Sequence, residues 1–151
     1  MLHTLTMREQ ISPVRDGENR IVAFTDGAAC NPEDPRRRRA AWGVYYAPEH
    51  SYNMSDTVKG ELQTVYRAEL QAVEHVLKTA TTPTRIVSDC QSVVNQLTKL
   101  LQGGSLEKKS DHADLWASIL REIKDREESF FEVEWINSHI DTEKAQEVEA
   151  A

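Results

Sequence analysis

Residues 62–89 read LQTVYRAELQAVEHVLKTATTPTRIVSD, and the spacing of the apolar residues changes within this stretch from that of a helix to that of a strand. In the first part, apolar side chains recur every three or four positions, which predicts a helix with one buried stripe. Pro83 ends that pattern, and the run RIVS at residues 85–88 predicts a short strand. A helix that leads into a strand is typical of α/β sheets, in which helices connect parallel strands. The predicted stripe consists of Leu62, Val65, Glu69, Ala72, Val73, Val76 and Ala80.

Three strands are predicted before this helix. The apolar run IVAFT at residues 21–25 is followed by Asp-Gly and predicts a central strand buried on both faces. A second strand is predicted at residues 41–47, and a third at residues 52–58 has the alternating pattern of an edge strand. Because the links between these strands are short, they are expected to form an antiparallel meander.

Two more helices and a fifth strand are predicted after residue 90. The helical stripes lie at residues 93–101 and 111–127, and the last strand lies at residues 131–136. Because helical crossovers join parallel strands, strands one, four and five are expected to be parallel. The predicted fold class is therefore α/β, with a mixed five-stranded sheet and helices on both faces.

Three carboxylates are candidates for a shared site. Asp26 is expected at the carboxyl end of strand one and Asp89 at that of strand four, so parallel pairing would bring them into one crevice. Glu69 lies on an apolar helical stripe, where a carboxylate is costly unless charge compensates it. Together they predict a site for a hard divalent cation, Mg²⁺ or Mn²⁺. Singly, Asp26 could be a turn residue, Asp89 a helix N-cap, and Glu69 a partner of Arg67.

The composition fits one globular domain whose acidic excess lies in its C-terminal part. The chain is 39% apolar and 28% charged, close to the globular average. Its net charge is −7, but residues 1–121 contain fifteen Lys/Arg and fifteen Asp/Glu, whereas residues 122–151 contain three against ten. The body of the domain is therefore balanced in charge and compatible with a nucleic-acid partner.

The sequence does not have the features of a membrane-spanning protein or of a protein stabilised by disulfides. There is no apolar run of membrane-spanning length and no signal-peptide core, so an intracellular location without a membrane partner is expected. Cys30 and Cys90 fit neither a zinc spacing nor a disulfide framework and are expected to be reduced thiols.

With these residues in place, the chain resembles the ribonuclease H family, particularly the ribonuclease H domains of retroelement reverse transcriptases. The resemblance extends over roughly residues 20–140 and implies a ribonuclease H-like sheet of order 3-2-1-4-5 with strand 2 antiparallel. Six segments match in family order: FTDG (24–27), WGV (42–44), RAELQAV (67–73), SDCQSV (88–93), DLW (114–116) and SH (138–139).

The resemblance also implies an activity. It implies endonucleolytic hydrolysis of the RNA strand of RNA–DNA hybrids by two ions of Mg²⁺ or Mn²⁺ held by the three carboxylates, with 5′-phosphate products. His139 would assist proton movement and product release. Asn31 and Gln91 match positions that contact the minor groove of the hybrid, where the 2′-hydroxyl marks the RNA strand. A neighbouring reverse transcriptase domain is an expected partner, and the oligomeric state is left open.

The chain departs from the family pattern at the fourth metal ligand. The family supplies an aspartate on a final helix, ten residues after the histidine or beyond a longer insertion, and here that count reaches Glu149. Either Glu149 substitutes, or the true ligand lies beyond Ala151; the second is favoured because chain ends are seldom ordered enough to fix a metal. The expected organisation is a polar lead-in (1–19), the ribonuclease H-like domain (20–140) and an acidic segment truncated before the last helix (141–151).

Basic groups for a phosphate backbone are few. Residues 100–111 lack the basic, Trp-bearing protrusion of several relatives, and Lys108 and Lys109 are only a modest substitute. Binding is therefore expected to rely on a neighbouring domain or on the arginine run at residues 36–39, with Arg36 and Arg37 as candidate substrate contacts. The same run is equally compatible with a solvated surface turn.

Other classes fit less well. Proofreading exonucleases need Asp-x-Glu on strand one, where this chain has Asp26, Gly27 and Ala28. No nucleophile elbow and no phosphate-binding glycine loop is present. The remaining alternative is a catalytically weak or inactive ribonuclease H-like module that binds nucleic acid or connects domains.

Overall fold

The computed structural model of the chain describes residues 14–106 and 111–137, which contain five strands and three helices. The elements are β1 (Ile21–Cys30), β2 (Arg39–Tyr45), β3 (Met54–Thr57), α1 (Val65–Thr79), β4 (Thr84–Ser88), α2 (Gln91–Leu101), α3 (Ala113–Lys124) and β5 (Phe131–Trp135). Among the helices of these two ranges, none is long and apolar enough to cross a membrane.

The strands form one mixed sheet of order β3-β2-β1-β4-β5. β1 pairs antiparallel with β2 and parallel with β4, β2 pairs antiparallel with β3, and β4 pairs parallel with β5. The predicted α/β class with a mixed five-stranded sheet, the strand order and the strand directions are confirmed. The exposed β3 is the predicted edge strand, since all four of its residues are open to solvent.

The main core lies on one face of this sheet. Ala23 of β1 and Ile86 of β4 pair directly and are completely buried, and Val133 of β5 packs beside them. α1, α2 and α3 all contribute buried apolar residues to the same core. α1 and α2 therefore pack directly on this face, and α3 packs mainly on α1. The prediction of helices on both faces is not met within the described ranges, where no helix lies on the opposite face.

β1 is longer than its apolar run predicts, and this corrects the expected position of Asp26. The strand continues to Cys30 because its pairing with β2 extends to Cys30 and Arg39. Asp26 consequently lies in the middle of the strand, opposite Gly43, and not at its carboxyl end or in a turn. The pairing with β4 does end where expected, at Thr25 and Ser88.

The helix ends also differ from the predicted bounds. Thr64 caps α1 by accepting a hydrogen bond from the backbone N–H of Arg67, so Leu62 lies before the helix and is 40% exposed. Asp89 is not the N-cap of α2, because that position belongs to Cys90. α3 is shorter than the predicted 111–127. Cys30 and Cys90 are both free thiols, as expected.

Candidate metal centre

Asp26 and Asp89 lie side by side where β4 ends beside β1. Thr25 and Ser88 form the last pair between these parallel strands, and each aspartate is the next residue of its own chain segment. Because neighbouring parallel strands lie about 5 Å apart, two residues at equivalent positions have adjacent side chains. The register of β1 and β4 thus places both carboxylates in the same crevice.

Glu69 reaches this crevice from α1, and Gly27 makes the approach possible. A Cβ added at Gly27 would lie 2.8 Å from the carbonyl oxygen of Val65 and 2.9 Å from both the Cβ of Ala68 and the backbone nitrogen of Glu69. Only a residue without a side chain allows this close packing of helix on strand. Glu69 is buried, with only 2% of the residue exposed, and its carboxyl group lies beside that of Asp26.

The three carboxylates converge. One carboxylate oxygen of each residue lies within 4.8 Å of the others. The backbone N–H of Gly27 donates to Oδ1 of Asp26 and to Oε1 of Glu69, both at 2.9 Å. The hydroxyl of Ser88 donates to Oε2 of Glu69 at 3.4 Å. The three carboxylates that were predicted to meet are therefore together. One backbone donor, Gly27, and one side-chain donor, Ser88, orient the carboxyl group of Glu69.

Burial and mutual repulsion disfavour the charged forms of these groups. Burial, followed by the charges of Asp89 and Asp26, raises the pKa of Glu69 to about 8. The pKa of Asp26 is raised by burial of its carboxyl group within the crevice and by Asp89, although the residue as a whole is exposed. Within the described residues, neither Asp26 nor Glu69 forms an ion pair with a basic side chain. Arg67, the possible partner of Glu69, pairs with Asp114 instead.

A divalent cation fits this set of donors. All three side chains offer oxygen, the ligand atom that hard cations such as Mg²⁺ and Mn²⁺ prefer. A cation would supply the positive charge that the nearby described residues do not, and it would favour the ionised form of Glu69. The residues that could hold it are Asp26, Glu69 and Asp89.

Several supporting residues were not found from the sequence. The indole N–H of Trp135 donates to the carbonyl oxygen of Asp89 at 3.1 Å, and the backbone N–H of Cys90 donates to the hydroxyl of Ser88 at 3.1 Å. Both hydrogen bonds hold the segment that follows β4. The close packing of α1 on Gly27 was also not predicted. The Asp-Gly pair at residues 26–27 is visible in the sequence, but it was interpreted as a possible turn.

The predicted substrate contacts lie near the ends of β1 and β4. Gln91 is exposed at the first position of α2, two residues after Asp89. Asn31 follows β1, roughly 16 Å along the strand direction from Asp26 at the usual rise per residue, and its side-chain amide donates to the carbonyl oxygen of Arg37 at 3.4 Å. Arg36 and Arg37 are exposed in the turn between β1 and β2. His139 and Glu149 lie outside the described residues.

Known proteins share this fold. A family model described as RNase H matches residues 18–150. Human Ribonuclease H1 is 33% identical over 87 residues, which cover 55% of this chain and 30% of the human protein. The chain therefore spans less than a third of that relative's length.

Solved structures of foamy virus proteins are also similar. The solution structure of the PFV RNase H domain has a TM-score of 0.61 at 23% identity, covering 81% of each chain. The native crystal structure of the Prototype Foamy Virus protease-reverse transcriptase has a TM-score of 0.62 at 23% identity, covering 93% of this chain and 20% of that one. A foamy viral protease-reverse transcriptase in complex with RNA/DNA hybrid has a TM-score of 0.59 at 21% identity, covering 83% and 18%. At these identities the likenesses show the fold.

The sheet order and the acidic cluster define a class of α/β domain with a carboxylate site beside its central parallel strands. The family model extends over nearly the whole chain, and the chain belongs to the RNase H family.

Proposed function

We propose that the chain hydrolyses the RNA strand of RNA–DNA hybrids endonucleolytically, with two Mg²⁺ or Mn²⁺ ions, and leaves 5′-phosphate ends. The observation that carries this proposal is the meeting of Asp26, Glu69 and Asp89 within 4.8 Å in a member of the RNase H family. The buried Glu69 gives the strongest support, because its surroundings disfavour the charged carboxylate and a bound cation would compensate for that cost.

In this proposal the three carboxylates hold the cations. When bound, the cations supply water activation and charge stabilisation at the leaving 3′ oxygen. The chain's own contribution is preorganisation: Gly27 and Ser88 orient the carboxyl of Glu69, and Trp135 fixes the backbone of Asp89. His139 moves a proton and assists product release. Glu149, or a residue beyond Ala151, supplies the fourth ligand.

The proposed substrate is an RNA–DNA hybrid that lies across the crevice. Asn31 and Gln91 contact its minor groove, and Arg36 and Arg37 contact phosphates. The family supports this substrate class, as does the foamy viral relative solved with an RNA/DNA hybrid. Because similar chains are parts of larger protease-reverse transcriptases, a reverse transcriptase domain is the proposed partner. An intracellular location stays a prediction.

A cleavage assay with end-labelled duplexes tests the proposal. With Mn²⁺ or Mg²⁺ we expect the RNA of a hybrid to be cut while duplex DNA stays intact. We expect Asp26→Asn to lower the rate by about a hundredfold to a thousandfold, as the loss of one charge-stabilising group does. Asp56→Asn is the matched control, because Asp56 is an exposed aspartate of the edge strand β3. Hybrid cleavage that is equal in wild type and Asp26→Asn would overturn the proposal.

A catalytically weak or inactive nucleic-acid-binding or connection module is the second candidate. It is suggested by the carboxylate cluster, which has three members within the described residues, whereas the family pattern has four and the candidate fourth, Glu149, lies outside those residues. A C-terminally extended chain separates the two possibilities. If hybrid binds but is cut by neither the chain nor the extended chain, the second candidate is correct.

A further inference from the structure

A separate cavity of about 420 Å³ lies at the end of the sheet opposite to the carboxylates. Ile21 and Thr84, the first residues of β1 and β4, line it, whereas Asp26 and Asp89 mark the other direction along the same strands. The C-terminal end of α1 and the link between β2 and β3 form its remaining walls. The cavity is thus independent of the metal centre.

Aromatic rings form one wall of this cavity. Tyr46 is 5% exposed and Tyr52 is 58% exposed, and their rings meet edge to face with centroids 5.8 Å apart. The ring of His50 lies 4.9 Å from that of Tyr52 and supports it from the side. An exposed tyrosine held beside a buried one offers a flat surface on which a planar ligand can stack.

Polar groups on the other wall are available for hydrogen bonds. His75 lines the cavity and packs on Trp42, with ring centroids 5.0 Å apart. Neither ring nitrogen of His75 has a hydrogen-bond partner within the part of the chain that the structure describes. Burial lowers the pKa of His75, which favours the neutral ring with its one donor and one acceptor. The hydroxyls of Thr81 and Thr82 lie at the exposed rim.

Charge restricts the ligand class. Among the described residues that line the cavity there is no Asp, Glu, Lys or Arg. A phosphate or ammonium group would therefore find no counter-charge there, and a charged ligand would lose its hydration without compensation. A neutral ring with hydrogen-bonding edges matches both walls.

We propose that this cavity binds an uncharged heteroaromatic molecule of the nucleoside class, stacked on Tyr52 and hydrogen-bonded by His75. The site is remote from the carboxylates, and its occupation does not depend on the proposed nuclease activity. A binding measurement on the chain without metal therefore tests this proposal independently of the proposed nuclease activity.

An NMR titration of the ¹⁵N-labelled chain with adenosine tests the proposal. We expect saturable shift changes confined to the backbone amides near Tyr46, Tyr52 and His75. Adenosine monophosphate should bind at least about threefold more weakly, because its phosphate finds no cation at the cavity. The absence of saturable changes, or changes confined to the metal centre, would overturn the proposal.

Two variants and one control sharpen the test. Tyr52→Ala should weaken adenosine binding about tenfold, the usual effect of losing an aromatic stacking partner. His75→Phe keeps the ring that packs on Trp42 but removes both nitrogens, so it too should weaken binding, and it serves if Tyr52→Ala disturbs the fold. Tyr45→Ala is the control, because Tyr45 is 46% exposed and does not line the cavity. Wild-type affinity in both Tyr52→Ala and His75→Phe would contradict the assigned site.

Discussion

The fold disfavours the charged form of Glu69, although that form is the one that would bind a cation. Its carboxyl group is buried beside Asp26 and Asp89, and two hydrogen-bond donors orient it without neutralising it. Because the fold favours its protonated form, stability and cation binding depend on the same proton.

Stability without metal should fall as the pH rises. The pKa of Glu69 is about 8 in the folded chain, whereas its ordinary value is 4.5. Between these two pH values the folded state keeps the proton on Glu69 and the unfolded state does not. The stabilising contribution is fully present below pH 4.5 and is lost as the pH rises through about 8. Glu69→Gln should remove this dependence and be more stable than wild type at pH 8. Denaturant unfolding in EDTA measures it; equal pH slopes in both proteins would contradict it.

Gly27 is expected to be intolerant of even one methyl group. A Cβ there would lie 2.8–2.9 Å from atoms of α1, so Gly27→Ala should lower the free energy of unfolding by about 1–3 kcal/mol and displace Glu69. Gly43→Ala is the matched control on β2, since its Cβ would have no neighbour closer than 3.8 Å. Chemical denaturation compares the two. Equal stabilities would show that the close packing of α1 on β1 is not what positions Glu69.

At the scale of the elements, features with a local pattern were predicted correctly, whereas features that depend on pairing between elements were not. The apolar stripe of α1 placed Glu69 toward the core correctly, because helical periodicity is a local signal. The length of β1 was underestimated, because its second half persists through pairing with β2 while its residues are partly exposed. Neither the hydrogen bond from Trp135 to Asp89 nor that from Ser88 to Glu69 could be inferred, since each joins residues that are distant in sequence.

The Arg67–Asp114 pair joins α1 to α3 and was equally hidden from the sequence. Arg67, whose side chain is 11% exposed, donates to both carboxylate oxygens of Asp114, at 3.2 and 2.7 Å. Because Asp114 is largely exposed, Asp114→Asn should cost only about 1 kcal/mol of unfolding free energy. Asp56→Asn, which removes an exposed 3.8 Å pair with Lys59, should cost close to nothing. Indistinguishable denaturation midpoints for the two variants would contradict a stabilising role for the Arg67 pair.

At the scale of the whole molecule, the net charge of −7 conceals an uneven distribution. The acidic excess falls in residues 122–151, while the turn between β1 and β2 exposes Arg36 and Arg37. An acidic protein can therefore present a basic edge to a phosphate backbone.

Salt dependence of hybrid binding tests this edge. If both arginines contact phosphates, the double variant Arg36→Ala/Arg37→Ala should lower the slope of log affinity against log salt by about 2, because each contact contributes about 0.9. Fluorescence anisotropy in EDTA measures binding without cleavage. Arg121→Ala/Lys124→Ala on α3 removes the same charge elsewhere. An equal loss of slope in that control would mean that the effect is one of net charge alone.

Thermal unfolding with and without metal is the sharpest test of whether Asp26, Glu69 and Asp89 form a cation site. Mn²⁺ at ten times its dissociation constant should stabilise the wild-type chain by about 1.4 kcal/mol, which raises the melting temperature by about 3–5 °C. Asp26→Asn should abolish this increase and melt higher than wild type in EDTA, because it removes one of the repelling carboxylates. A wild-type melting temperature that does not change with millimolar Mn²⁺ or Mg²⁺, or an Asp26→Asn variant that responds like wild type, would show that these carboxylates do not form a cation site.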